Sequence, residues 1–179
     1  MCSKILVTGG AGFIGSHFIT KMLSEGLSVA NFDALTYAAD LNYLDQFKKH
    51  KRYRFFKGDI RSANDIATAL ISFKPNFLVN FAAETHVDTS LIDPQIFYDT
   101  NINGTFTLLE SVKHFLQKEK NQNFKKLVHV STDEVYGTRS IKDPAAECSS
   151  IRPSNVYAAS KASAEAFCMS YAKTFSLPI

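Results

Sequence analysis

The sequence predicts an α/β fold, a doubly wound parallel sheet with helices on both faces. Three observations predict it. Apolar runs of strand length alternate with longer stretches of helical period through the 179 residues. The first run feeds a glycine-rich turn that opens a helix, and the second run ends on an acidic residue. Alternation of this kind is the pattern of parallel strands joined by crossover helices.

Taken in order, Ile5–Val7 is a short buried strand, followed by a helix whose apolar residues Ile14, Phe18 and Met22 recur four apart and which Gly26 ends. Val29–Phe32 is the second strand. A partly helical connection over Leu41 to Lys49 leads to the third, Tyr53–Phe56. Ser62 caps a helix running to about Phe73, and Lys74-Pro75-Asn76 delivers the chain into the fourth strand, Phe77–Phe81. A long helix follows with a buried stripe of Ile102, Phe106, Leu109, Val112 and Leu116. Lys126–Val130 is the fifth strand and Val156 to Phe175 the final helix. No repeat, low-complexity stretch or linker interrupts the pattern, so residues 1–179 read as one domain. Ser176–Ile179 reads as the approach to a further strand, which makes a truncated chain the expectation.

Composition narrows the function classes. Twenty Lys and Arg against seventeen Asp and Glu give a net charge of +3, too mild for a nucleic-acid footprint. The longest basic stretch, Lys48 to Arg52, reads as a solvated helix end and loop. Three cysteines, Cys2, Cys148 and Cys168, lack any CxxC spacing, so neither a disulfide framework nor a zinc knuckle is expected. Without a charged leader or a long apolar run, the expectation is a cytoplasmic protein that does not contact a membrane.

The chemistry-bearing motifs lie at the carboxyl ends of the strands, where sheets of this kind bind ligands. Thr8-Gly-Gly-Ala-Gly-Phe-Ile-Gly15 fits both GxGxxG from Gly10 and GxxGxxG from Gly9. Glycines there permit a tight turn and let the backbone approach a pyrophosphate, which the helix N-terminus meets with unpaired N–H groups. Asp33 ends the next strand eighteen residues after Gly15, placed to accept from both ribose hydroxyls; it would repel a 2′-phosphate, so the cofactor is NAD rather than NADP. The fold is therefore of the Rossmann type.

Tyr157-Ala-Ala-Ser-Lys161 puts a phenol and an ammonium one helical turn apart. Such a spacing occurs on surfaces by chance. Behind a dinucleotide-binding turn it reads as an acid–base pair, with Lys161 lowering the Tyr157 pKa so that the phenolate takes a proton from an alcohol during hydride transfer. Ser131-Thr132-Asp133-Glu134 leaves the fifth strand with two adjacent carboxylates, which serve either as a turn cluster or as an acid and a base. Glu84, His86 and Asp88 alternate after the fourth strand, a spacing that matches no metal-ligand pattern, and no metal is expected.

Together these residues resemble the extended short-chain dehydrogenase/reductase family, and within it the nucleotide-sugar 4,6-dehydratases. The likeness runs from TGGAGFIGS (Thr8 to Ser16) through Asp33-Ala-Leu-Thr-Tyr37, Gly58-Asp-Ile60, AAETHVD (Ala82 to Asp88), Thr100-Asn101 and Gly104-Thr105 to STDEVYG, Pro153-Ser154 and Tyr157 to Ala162. The Asp133-Glu134 doublet is its most specific element, because related epimerases share the Tyr and Lys without it.

The resemblance implies NAD as a recycled cofactor and dTDP-glucose or UDP-glucose as substrate. It implies catalytic roles for Thr132, Asp133, Glu134, Tyr157 and Lys161, with Glu84 also at the substrate. It places Gly9, Gly12, Phe13, Ile14, Gly15 and Asp33 at the cofactor, with Leu35 and Thr36 near its adenosine ribose, Asp59 and Ile60 at the adenine, and Ala82, Ala83 and Thr85 along it. It also implies a homodimer built from the long helix and the Tyr157 helix. A smaller C-terminal substrate domain, absent from this chain, would leave half a substrate site, NAD binding and little turnover. Three departures stand out: Thr89 where bacterial members carry Arg, which leaves the nucleotide open; Asn155-Val156 where Ser-Pro is usual; and Ala38-Ala39-Asp40 in place of Ala-Gly-Asn. A 4-epimerase or UDP-glucuronate decarboxylase of the same fold, and a non-catalytic dinucleotide-binding module, are the alternatives.

Overall fold

A computed structural model of the chain describes residues 3–119 and 123–179; Cys2 lies outside them. Five strands, β1 (Lys4–Thr8), β2 (Ser28–Asp33), β3 (Tyr53–Lys57), β4 (Phe77–Asn80) and β5 (Lys126–His129), form one sheet in the order β3-β2-β1-β4-β5, with every pairing parallel. Strand order reverses between β1 and β4, and the crevice at that switch point is where such sheets hold ligands.

Successive strand residues point to opposite faces, and each face has its own core. Leu6, Ala30, Phe32, Leu78 and Leu127 pack with α3 (Ala63–Phe73), α6 (Thr105–Glu119) and α7 (Val156–Phe175). Ile5, Val7, Val29 and Val79 pack on the other side with Ile19 and Leu23 of α1 (Phe13–Ser24) and with Phe47, which follows the short α2 (Leu41–Asp45). The predicted strands and helix ends hold to within about a residue. Ser62 caps α3 by accepting from the Asp65 N–H at 3.3 Å. The basic residues Lys48, Lys49, Lys51 and Arg52 are exposed, as expected. Ser176–Ile179 lies beside β5, where the Leu127 N–H donates to the Pro178 carbonyl at 2.7 Å.

Two helical faces differ from the sequence reading. The buried stripe of α1 is Gly15, Ile19 and Leu23, one residue on from Ile14, Phe18 and Met22, and Ile14 is 63% exposed. The cause is the bare backbone at Gly15, where a Cβ would stand 2.3 Å from the Gly9 carbonyl oxygen; α1 turns this side to the sheet because only glycine fits. Between β4 and α6 the chain forms α4 (Val87–Ile92), α5 (Pro94–Phe97) and a π-helical segment, Tyr98–Gly104. Leu109 and Val112 of the expected stripe are buried and Leu116 packs against the same core, joined there by Leu108 and Phe115, while Phe106 is 39% exposed and packs edge-on against Phe167 and Tyr171.

Candidate active site

A groove of about 530 Å³ opens at the carboxyl ends of β1, β2 and β4. Its floor is the β1–α1 turn. Gly9 has φ +70°, and a Cβ there would meet the Ala82 backbone at 2.7 Å, so glycine is required by conformation and by the neighbouring strand. Gly12 differs: a Cβ would meet only the Gly9 oxygen, at 3.4 Å, so this surface is open toward the groove. Gly12 caps α1 without a side-chain hydrogen bond and no acid sits in the first turn, which leaves N–H groups of that turn for an anionic ligand.

Asp33 stands at the end of β2. Its Oδ2 accepts from the Ala11 N–H and its Oδ1 from the Leu35 N–H, both at 2.8 Å. The carboxylate is thus fixed at the groove wall with lone pairs to spare, and a bare glycine turn beside it fits the diphosphate and ribose of a dinucleotide. Gly9, Gly12, Phe13, Ile14, Gly15, Asp33, Thr36, Asp59, Ile60, Ala82, Ala83, Glu84, Thr85, Tyr157 and Lys161 all line this groove. Leu35 does not; it contributes its N–H to Asp33 from a left-handed conformation, φ 59°.

Arg61 also lines the groove, and the sequence reading did not include it. Its Nη2 lies 2.6 Å from Asp59 Oδ2 and its Nε 3.0 Å from both carboxylate oxygens. Burial alone would raise the Asp59 pKa, but hydrogen bonds from Arg61 outweigh it and hold the carboxyl below its usual value. Across the groove, the Tyr37 hydroxyl donates to Glu84 Oε2 at 2.6 Å; burial and that carboxylate push the phenol up to about 12.

Asn101, in the π segment, was named only within a motif. It is buried and uses its whole amide: Oδ1 accepts from the Glu84 N–H at 2.8 Å, while Nδ2 donates to the Glu84 carbonyl at 2.9 Å and to Ser160 Oγ at 2.8 Å. Ser160 Oγ donates in turn to the Tyr157 carbonyl at 2.7 Å. The loop after β4 is thereby tied to α7.

Tyr157 and Lys161 project from the first turns of α7, with 9% and 5% exposure. The Lys161 ammonium donates to the Val130 carbonyl at 2.6 Å, and burial lowers its pKa to about 8. The expected lowering of Tyr157 by Lys161 is not what the structure shows. Burial raises the phenol above its ordinary value, the Thr132 hydroxyl lowers it through a hydrogen bond, and the Glu134 and Asp133 carboxylates raise it further. Thr132, Asp133 and Glu134 lie outside the groove lining, at and just before a 3-10 turn, Asp133–Tyr136, that follows β5. Thr132 Oγ1 accepts from the Glu134 N–H at 3.3 Å, and Asn155 Nδ2 donates to Glu134 Oε2 at 2.7 Å. Asp133 is exposed.

Fold and groove define a Rossmann-type α/β domain with a Tyr–Lys pair in the groove and two carboxylates on the turn that follows β5. The family described as GDP-mannose 4,6 dehydratase matches residues 6–179, and the chain belongs to that family. It is 40% identical over 178 residues to a probable dTDP-glucose 4,6-dehydratase of Sinorhizobium fredii, a match covering 98% of this chain and 51% of the relative. The structure of dTDP-glucose 4,6-dehydratase from Bacillus anthracis in complex with NAD superposes with a TM-score of 0.83 at 41% identity, covering 99% of this chain and 53% of that one. The NAD complex of Thermus thermophilus UDP-glucose 4-epimerase gives 0.84 at 34% identity, over 97% and 52%. The chain spans about half the length of the curated relatives it matches. No helix among the described residues is long and apolar enough to cross a membrane.

Proposed function

We propose that the protein is an NAD-dependent nucleotide-sugar 4,6-dehydratase, a hydro-lyase acting on dTDP-glucose. The observation that carries this reading is the Asp133-Glu134 pair on the turn after β5, with Glu134 bonded at 2.7 Å to Asn155, the cap of the Tyr157 helix: an epimerase needs one acid–base group at C4, whereas dehydration needs a second base and an acid at C5 and C6. The relatives at about 40% identity support dTDP-glucose over UDP-glucose.

In this reading Gly9, Gly12, Phe13, Ile14, Gly15, Asp33, Leu35, Thr36, Asp59, Ile60, Ala82, Ala83 and Thr85 form the cofactor site, with Tyr157 and Lys161 at its nicotinamide end. Held there, NAD would supply the hydride acceptor for oxidation at C4 and the hydride donor for reduction at C6. Tyr157 accepts the C4 hydroxyl proton as the phenolate, which the Thr132 hydroxyl bond and the Lys161 ammonium one turn along the helix favour against the rise imposed by burial and the two carboxylates. The C4 ketone acidifies C5. Glu134 removes the C5 proton, the electrons of that bond become the C5–C6 double bond, and the C6–O bond breaks as Asp133 protonates the departing hydroxyl to water. Glu134 then gives a proton back to C5 as hydride arrives at C6. The sum is loss of one water. Glu84 is assigned to the substrate side of the groove.

Residues 1–179 read as the NAD-binding domain, and relatives of twice the length support a smaller C-terminal domain that holds the nucleotide of the substrate. Exposed Phe106, Met169 and Phe175 on α6 and α7 support a homodimer through these helices, and free Cys148 and Cys168 support a cytoplasmic location. The test is the mass of the product after the full-length protein is incubated with NAD and either dTDP-glucose or UDP-glucose. Loss of one water from the dTDP sugar is expected. An isomer of unchanged mass, or loss of carbon dioxide from a glucuronate, overturns the reading.

A further inference from the structure

Asn155 does two jobs with one side chain. Its Oδ1 accepts from the Ala158 N–H at 2.7 Å and so caps α7, the helix that carries Tyr157 and Lys161. Its Nδ2 donates to Glu134 Oε2, also at 2.7 Å. The two acceptors lie on different elements, and an amide is the smallest side chain that offers a donor and an acceptor at separate atoms on one rigid plane.

The backbone around the pair is fixed as well. The Arg152 N–H donates to the Val135 carbonyl at 2.8 Å, and a Cβ on Gly137 would fall 2.2 Å from the Arg152 carbonyl oxygen. The segment leading to Asn155 therefore lies flush against the turn that bears Glu134. Nothing comparable holds the neighbouring carboxylate: Asp133 is exposed, with the Thr132 hydroxyl 3.4 Å from its Oδ1. Two adjacent carboxylates thus sit in different settings, one bonded and oriented from behind, the other open. Separate acid and base roles demand such a division.

We infer that Asn155 is a positioning residue for the dehydration step, locking the Glu134 carboxylate to the N-terminus of the Tyr157 helix so that the C5 base and the C4 acid–base group move as one body. The inference rests on the dehydratase reading and adds to it a residue that holds the C5 base in place. Because Asn155 bonds Glu134 and lies outside the groove lining, it acts on the rate of C5 deprotonation and not on substrate affinity. A displacement of about 1 Å at a reacting group costs up to about a hundredfold in rate.

The experiment uses the full-length protein and three variants. Asn155→Ser keeps a capping oxygen but ends about one bond length short of Nδ2, and Asn155→Asp keeps the cap and sets a carboxylate against Glu134. Glu134→Gln removes the base itself. Both Asn155 variants are expected to lose about tenfold or more in kcat with KM for dTDP-glucose unchanged, Asn155→Asp losing more. The kinetic isotope effect from sugar deuterated at C5 is expected to grow in both, and the melting temperature of Asn155→Ser to match the wild type. Unchanged kcat, or a fall in kcat that tracks melting temperature with no change in the isotope effect, reduces Asn155 to a helix cap and overturns the inference. Failure of the underlying reading looks different: the wild type releases no water, or Glu134→Gln dehydrates as fast as the wild type, and the inference falls with it.

Discussion

Asp33 and Ala11 are joined across the floor of the groove by a 2.8 Å hydrogen bond from the Ala11 N–H to Asp33 Oδ2. The other carboxylate oxygen takes the Leu35 N–H, so one side chain holds the glycine turn and the loop after β2 in register. The same carboxylate lines the groove, so in the proposed function it would both order the loop and meet the cofactor ribose.

Asp33→Ala is expected to lower the melting temperature and to raise the Kd for NAD by about ten- to a hundredfold, the scale of a hydrogen bond to a charged group. Affinity for NADP is expected to fall less, because the repulsion of its 2′-phosphate is removed together with the acceptor. Isothermal titration with both dinucleotides checks this; an unchanged ratio of the two affinities refutes it.

Gly12→Ala and Gly15→Ala separate cofactor approach from folding. A Cβ at Gly12 meets one atom at 3.4 Å, so that variant is expected to melt like the wild type while losing NAD affinity. At Gly15 the Cβ lands 2.3 Å from the Gly9 oxygen and 2.8 Å from the Gly10 Cα, and the cost is about 1–3 kcal/mol of stability. Thermal melts paired with NAD titrations are decisive.

His129 makes the domain sensitive to acid. Asn80 accepts the Thr8 hydroxyl and sets its Nδ2 3.0 Å from His129 Nδ1, while His129 Nε2 finds no partner among the described residues. Burial, aided by the charge on Lys161, lowers the imidazole pKa from 6.5 to about 3. The unfolded chain then binds a proton that the folded chain refuses, and stability falls as pH drops from about 6.5 toward 3. Denaturant melts across that window are expected to show a shallower loss for His129→Gln, which keeps an acceptor for Asn80 without the charge.

Lys161 acts in the alkaline range. With its pKa lowered from 10.5 to about 8 by burial, the unfolded state binds more protons between those values, so its contribution to stability rises with pH there. Its charged form costs about 3 kcal/mol at neutral pH, from the size of the shift. The melting temperature of the cofactor-free wild type is expected to gain on that of Lys161→Met between pH 8 and 10. A constant gap means that the ammonium is not paying for burial.

The strands, their parallel order and the glycine turn were legible in the sequence because each rests on local information: period, run length, and the backbone freedom of glycine between a strand and a helix. The Tyr157–Lys161 spacing and the Asp133–Glu134 doublet were legible for the same reason. Local period also misled. It could not choose which stripe of α1 meets the sheet, since that depends on how closely Gly15 approaches the Gly9 backbone. Nor could it foresee that Phe106 stays 39% exposed against α7 while Leu108 and Phe115 fill the core beside Leu109 and Val112.

Tertiary structure alone decided the partners. Asn101 meets Glu84 and Ser160, and Asn155 meets Glu134, across sequence separations of 17, 59 and 21 residues, so nothing at either end of these bonds announces the other. The Tyr157 pKa shift also belongs to the assembled site: burial and two carboxylates raise it where spacing had suggested that Lys161 lowers it. A sequence states which groups are present and at what local period. Only the fold sets their distances and their access to water, and these govern both hydrogen bonding and charge.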